Sequence, residues 1–302
     1  MTPLARALLS LDGLSVGDSF GQCFFQPENS SEEQLQQRLL PQAPWYYTDD
    51  TEMSLSVVAV LANHASIDQA RLAASLAEHY SYDRAYGPSM HRVLARIREG
   101  EAWQQVTRSA FEGQGSYGNG AAMRAAPVGA YFADDLSAAA AQATLSAEVT
   151  HAHPEGIAGA VAVAVAAAAA CQYRDAGQRP AHAEFIAKIV GQLPDSEVRF
   201  KLVRAQEMSK VKSLDFPVSV LGNGVNMSAQ DTVPYALWCC GQQLEDFPAA
   251  LWLAVSAGGD RDTICAIAGG VVAQFVGAAG IPDDWREWRE ALPDWHVNRH
   301  VP

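Results

Sequence analysis

Apolar residues recur along most of this chain at helical spacing. In residues 52–65, EMSLSVVAVLANHA, Met53, Val57, Val60 and Leu61 fall on one face of a helix. Segments 67–80, 89–99, 136–149, 156–173, 182–193 and 197–212 carry helical periodicity or strong helix formers. No run alternates apolar and polar residues convincingly as a strand does. The stretch from Gly156 to Cys171, GIAGAVAVAVAAAAAC, has no polar face; at 16 residues of mostly Ala and Val it is short for a bilayer. It reads as a helix packed on all sides inside a protein. Gly, Pro and Asn cluster at 26–30, 41–44, 113–120, 177–180, 222–226 and 280–283, which marks loops and no linker. The pattern predicts one all-α domain spanning residues 1–302.

Composition narrows the partners. The 302 residues suffice for a large core, and 49% hydrophobic with 18% charged residues is the balance of a soluble globular protein. Lys and Arg number 21 against 34 Asp and Glu, and the net charge of -13 argues against nucleic acid or an acidic membrane as partner. Cys23, Cys171, Cys239, Cys240 and Cys265 are odd in number and lack metal-ligand spacing. They read as small buried residues in a reducing compartment. Asp12 interrupts the N-terminal apolar stretch where a signal peptide would continue, so a cytoplasmic location is expected.

Two acidic clusters carry the candidate chemistry. In SAGGDRDT, residues 256–263, Asp260 and Asp262 flank Arg261 behind two glycines, within apolar surroundings. In WYYTDDTEMSLSVV, residues 45–58, Asp49 and Asp50 lie between Thr48 and Thr51. Helix capping explains part of each: Asp260 can cap a helix starting near Thr263, and Asp49 with Glu52 resembles a capping box. Asp50 and Asp262 are left over, and buried carboxylates are costly unless paired or bound to metal. If the two helix starts face each other, four carboxylates and two threonine hydroxyls converge. Such a density of negative charge is stable only around cations, and all-oxygen donors select magnesium, manganese or calcium over zinc. Two ions roughly 3.5–4 Å apart are typical of such sites.

Two further segments leave alternatives open. GQGSYGNGAAMRAAPVG, residues 113–129, exposes glycine backbone that can cradle an anion such as a pyrophosphate, or forms a flexible surface loop. In Thr150-His151-Ala152-His153-Pro154 the histidines can bind metal, or serve as a helix cap beside a solvated side chain.

Taken in order, GDSFG (17–21), WYYTDDT (45–51), GSYGNGAAMR (115–124), THAHP (150–154) and GGDRDTICAIAGG (258–270) resemble the signature of the ADP-ribosylglycohydrolase family. That family includes the dinitrogenase-reductase-activating glycohydrolases, and the resemblance runs from about residue 10 to about residue 280. It implies a compact orthogonal helical domain with a dinuclear magnesium or manganese site at the bottom of a cleft. By matching positions, Thr48, Asp49, Asp50, Asp260, Asp262 and Thr263 would be the metal ligands. Asp50 and Asp262 would also carry protons in catalysis. Gly115, Ser116, Tyr117, Gly118 and Asn119 would hold diphosphate and ribose, with His151 lining the same cleft. The implied reaction removes ADP-ribose from a modified side chain, arginine in many members and serine in others, or from a small ADP-ribose conjugate. The implied alternatives are a non-catalytic ADP-ribose binder, a structural relative, or an inhibitor of an ADP-ribosylating toxin. Two positions depart from the pattern: Phe25, where many members have glutamate, and Arg261, expected to turn from the ions toward the cleft rim.

Overall fold

Sixteen α-helices and no β-strand make up the described residues, 1–211 and 213–297, of this computed structural model. In chain order they are α1 (Pro3–Gln22), α2 (Glu32–Gln37), α3 (Asp49–His64), α4 (Gln69–Glu78), α5 (Pro88–Arg98) and α6 (Trp103–Arg108). Then come α7 (Ala126–Tyr131), α8 (Leu136–Glu148), α9 (Pro154–Asp175), α10 (His182–Val190) and α11 (Glu197–Gln206). The last five are α12 (Asp215–Leu221), α13 (Ala229–Gln242), α14 (Phe247–Val255), α15 (Arg261–Val276) and α16 (Asp283–Trp288). The seven predicted helices correspond to α3, α4, α5, α8, α9, α10 and α11. The expected 197–212 stretch ends earlier, at Gln206, and its final residue, Lys212, lies outside the described residues, as do residues 298–302 of the expected domain.

The apolar helix α9 is the centre of the domain, with α7, α8, α10, α13 and α15 packed around it. It is long and apolar enough to cross a membrane, but 89% of its most apolar window is buried inside the protein. Small side chains let its neighbours approach closely. Gly129 of α7, for example, leaves no room for a Cβ against the backbone of Ala164.

Helices α1 and α15, the most intimately packed pair, place the site. Gly13, Gly17 and Gly21 recur every four residues on one stripe of α1, and a Cβ at any of them would overlap the α15 backbone. The contact at Gly21 is with Arg261 and Asp262 themselves. Backbone contact along this seam therefore fixes Asp18 of α1 beside the start of α15. An aromatic cluster fastens the same end: Phe20 lies 4.9 Å from Phe24, 5.5 Å from Trp45, 5.1 Å from Trp252 and 4.9 Å from Trp285, centroid to centroid. Each such pair adds about 0.5–1.5 kcal/mol beyond its burial.

Candidate active site

The start of α3 is built without using its own acidic residues as caps. Thr48 occupies the N-cap position, yet its hydroxyl sits 2.7 Å from Asp18 Oδ1 and 3.1 Å from Asp50 Oδ2. The free amides of the first turn go elsewhere. Thr48 N and Thr51 N donate to Asp18 Oδ2 at 2.9 and 3.1 Å, and Asp49 N donates to Arg84 O at 2.7 Å. The expected capping box is absent: Glu52 instead accepts from Ser81 N at 3.0 Å and from Tyr86 Oη at 2.7 Å. With capping assigned to Asp18, a residue some thirty positions away, the carboxylates of Asp49 and Asp50 are left free of that duty.

The start of α15 shows the same division. Asp260 is at the N-cap position with no side-chain capping bond, and its Oδ2 accepts from Asn119 Nδ2 at 2.5 Å. Asp262 Oδ1 accepts from Thr263 N at 2.9 Å, and Thr263 Oγ1 lies 3.4 Å from Asp50 Oδ2. Carboxylate oxygens of Asp18, Asp50 and Asp262 lie within 4.8 Å of one another, so α1, α3 and α15 meet in one acidic floor. Burial, reinforced by mutual repulsion, raises Asp49, Asp50 and Asp262 well above the ordinary carboxylate range. Burial raises Asp18 and Asp260 as well, against the hydrogen bonds they accept.

The residues fit a hard divalent cation. Among the described residues Asp50 Oδ1, which is buried, has no hydrogen-bond partner, which is costly for a carboxylate unless something positive meets it. Arg261 does not, because its guanidinium turns back to donate to Val255 O at 3.2 Å and Phe24 O at 3.0 Å. The converging donors are all oxygens.

A cleft opens above this floor in two lobes. One, about 230 Å³, is lined by Asp49, Tyr86, Ser116, Gly118, Asn119 and His151 among others; the second, about 390 Å³, by Gln22, Phe25, Gly224, Val225 and Met227. Ala85, Met227, Asp260 and Asp262 belong to both, so the lobes meet at the carboxylates. Ala85 and Met227 are held at φ +62° and +50°, strained values for side chains of this kind, at the junction itself.

The glycine-rich segment divides. Ser116, Gly118 and Asn119 line the first lobe, and Ser116 Oγ accepts from Gly118 N at 3.1 Å. Asn119 spends its amide protons on Asp260 and on Thr232 Oγ1, at 3.0 Å, so its amide group orients a carboxylate. Gly115 is not brought into this lobe; it lies in a separate recess, where a Cβ would crowd the backbone of Ala152 and His153. Tyr117 is half exposed and packs its ring against Phe111 and His153. The histidines of the THAHP segment also part ways. His153 caps α9 by accepting from Glu155 N at 3.1 Å, whereas His151 is buried and lines the lobe. Burial drives the His151 imidazole pKa down to about 3, so the ring is neutral.

Residues 1–299 match the family model described as ADP-ribosylglycohydrolase. The chain belongs to the ADP-ribosylglycohydrolase family. Among ADP-ribosylglycohydrolase relatives, the ADP-ribosylhydrolase ARH3 of Homo sapiens is 29% identical over 286 residues, covering 83% of this chain and 77% of that protein. The ADP-ribosylarginine hydrolase Tri1 of Pseudomonas putida is 28% identical over 301 residues, covering 94% and 74% respectively. A solved structure described as an ADP-ribosylglycohydrolase-related protein complex shares the fold, with a TM-score of 0.67 over 95% of this chain and 93% of that one, at 22% identity. Glycohydrolase activity follows from membership. Within the ADP-ribosylglycohydrolase site, the residue that sequence reasoning passed over is Asp18. It stands in the quoted GDSFG motif, but nothing in linear spacing ties residue 18 to residue 48. The signal lay in Gly17 and Gly21 around it, which mark a helix face in close contact with another.

Proposed function

We propose that this hydrolase is metal-dependent and removes ADP-ribose from a modified side chain, arginine above all, or from a small ADP-ribose conjugate. The observation that carries the reading is the buried, unpartnered Asp50 Oδ1 within a floor of aspartates from three helices. Thr48, Asp49, Asp50, Asp260, Asp262 and Thr263 would hold two magnesium or manganese ions. Such ions, when bound, orient ribose hydroxyls and acidify a water. The protein's own groups do the rest. Asp50 and Asp262 take the proton of the attacking water and return it to the leaving nitrogen or oxygen as the glycosidic bond breaks and water oxygen bonds to the anomeric carbon. The carboxylate floor stabilises the positive charge that develops on that carbon.

The two lobes support a division of the substrate. Ser116, Gly120 and the His151 ring, which line the first lobe, suit the diphosphate and ribose. The second lobe, walled by the exposed Phe25, Val225 and Met227, suits the side chain that departs. Arginine as that side chain is supported by the name of the Pseudomonas putida relative. The test is incubation with arginine-, serine- and DNA-linked ADP-ribose, with and without magnesium or manganese, following free ADP-ribose. Release from the arginine linkage only with metal is expected; no release from any linkage with either ion overturns the reading.

A further inference from the structure

Arg124 is the last residue of the GSYGNGAAMR motif and is fully buried beneath the cleft. Its guanidinium donates to Gly120 O at 2.8 Å, to Ser146 O at 2.9 Å and to Thr150 Oγ1 at 2.9 Å. Burial lowers its pKa only to about 10, so it remains a cation and a donor at neutral pH. Thr150 Oγ1 therefore accepts from Arg124. Its own single proton remains, and the atom within reach is His151 Nδ1, at 2.7 Å. Among the described residues no other acceptor for that proton is present, and Thr150 is almost entirely buried. A His151 ring protonated at Nδ1 would leave the hydroxyl proton unpaired in the interior.

We infer that Arg124 and Thr150 are positioning residues that lock His151 in the tautomer with Nδ1 as acceptor and N–H on Nε2, aimed as a donor at the substrate's diphosphate or ribose. The ring's neutrality, caused by burial, leaves it a single N–H to place. The Nε2 edge faces the glycine segment: a Cβ at Gly118 or Gly120 would lie 3.1 Å from Nε2. Nε2 has no hydrogen-bond partner of its own among the described residues. Arg124 thus sets two elements of the lobe from one planar fork, holding the Gly120 carbonyl with one nitrogen and the Thr150 hydroxyl with the other. The aim of Nε2 at substrate rests on the reading of this lobe as the ADP-ribose site. The tautomer itself does not.

The experiment has two parts, both on the full chain. Long-range proton–nitrogen correlation spectra of the wild type, assigned with a His151→Gln control, report which ring nitrogen is protonated. Nε2–H with an acceptor Nδ1 is expected, and Nδ1–H overturns the relay without requiring any variant to fold. ADP-ribose binding is then measured by calorimetry for the wild type, Thr150→Val and Thr150→Ser. The loss of one hydrogen-bonded hydroxyl predicts affinity about 5- to 30-fold weaker for Thr150→Val, with mixed tautomers in its spectrum, and near-wild-type values for Thr150→Ser. Wild-type affinity in Thr150→Val overturns the positioning role. A wild type that shows Nε2–H and fails to bind ADP-ribose overturns the site reading and leaves the tautomer assignment intact.

Discussion

Asp18 on α1 accepts both hydrogen bonds that Thr48 has to offer at the start of α3, the hydroxyl at Oδ1 (2.7 Å) and the amide at Oδ2 (2.9 Å). One carboxylate thereby joins two helices and does the capping that the neighbouring aspartates would otherwise do. Asp18→Asn places an amide N–H against donors and is expected to cost about 1–3 kcal/mol of stability. Metal affinity should fall less than in Asp50→Asn. Denaturant unfolding with manganese calorimetry decides: full stability with metal binding lost would make Asp18 a ligand and not the organiser of the ligands.

Asp50→Asn and Asp262→Asn should stabilise the metal-free protein, since each removes a buried charge that its neighbours repel. Both should lower turnover by about 10²–10³-fold or more, the scale for losing a group that stabilises transition-state charge. Thermal melting in chelator, beside release of free ADP-ribose, checks the pair. A variant that melts well below wild type without metal would assign that aspartate to folding.

The same carboxylates set a pH dependence whose sign can be worked out. Asp18, Asp49, Asp50, Asp260 and Asp262 are raised in the folded state, so above the ordinary carboxylate range the metal-free native protein binds more protons than the unfolded chain. Its stability therefore falls as pH rises. His151 opposes this: its pKa moves from 6.5 down to about 3, so between those values the unfolded chain takes a proton that the folded ring refuses. Burial lowers His182 and His296 as well, in the same opposing sense, but above about pH 6.5 an unfolded imidazole is already largely neutral, so Asp49, Asp50 and Asp262, raised well above the carboxylate range, decide the sign. Melting temperature in chelator should be higher at about pH 6 than at about pH 8, and saturating magnesium should reverse the order by holding the carboxylates ionised. The same order with and without metal would show that the floor does not bind the ion.

Much of the helical frame was legible because α4, α5 and α10 bury one face and expose another, α3 repeats its apolar residues at helical spacing although it is buried along most of its length, and α9 is apolar all round. Helix α1 was not, because its buried positions include Ser10, Ser15, Asp18 and Ser19 as well as leucines. It is surrounded on all sides, so no polar face gives it a period. Helices α13 and α14 are buried nearly throughout for the same reason, and α7 is only six residues long. In the site, the two acidic clusters stood out because capping could not explain every carboxylate. What linear sequence lacks is the pairing across the fold: Asp18 with Thr48, Asn119 with Asp260, Arg124 with Thr150. Each pair combines ordinary polar residues and is recognisable only when the helices that carry them are brought together.

Arg261 supplies the last expectation. Its place in the chain between two aspartates suggests a cation at the cleft, but its guanidinium ties the end of α14 at Val255 O to the turn after α1 at Phe24 O. Phe25, the next residue, forms part of the wall of the second lobe. Arg261→Thr removes these charged hydrogen bonds and should cost about 1–3 kcal/mol, discounted toward the lower end because the side chain is only half buried. The ligand oxygens are untouched, so manganese affinity should stay near wild type. Freeing Phe24 and Phe25 should instead shift kcat/KM unevenly among arginine-, serine- and small-molecule-linked ADP-ribose, since that wall meets the departing group. Arg261→Lys keeps the charge but not the fork and should fall between the two. A uniform loss across all substrates, together with loss of manganese, would mean that Arg261 holds the aspartates in place rather than the wall of the leaving-group lobe.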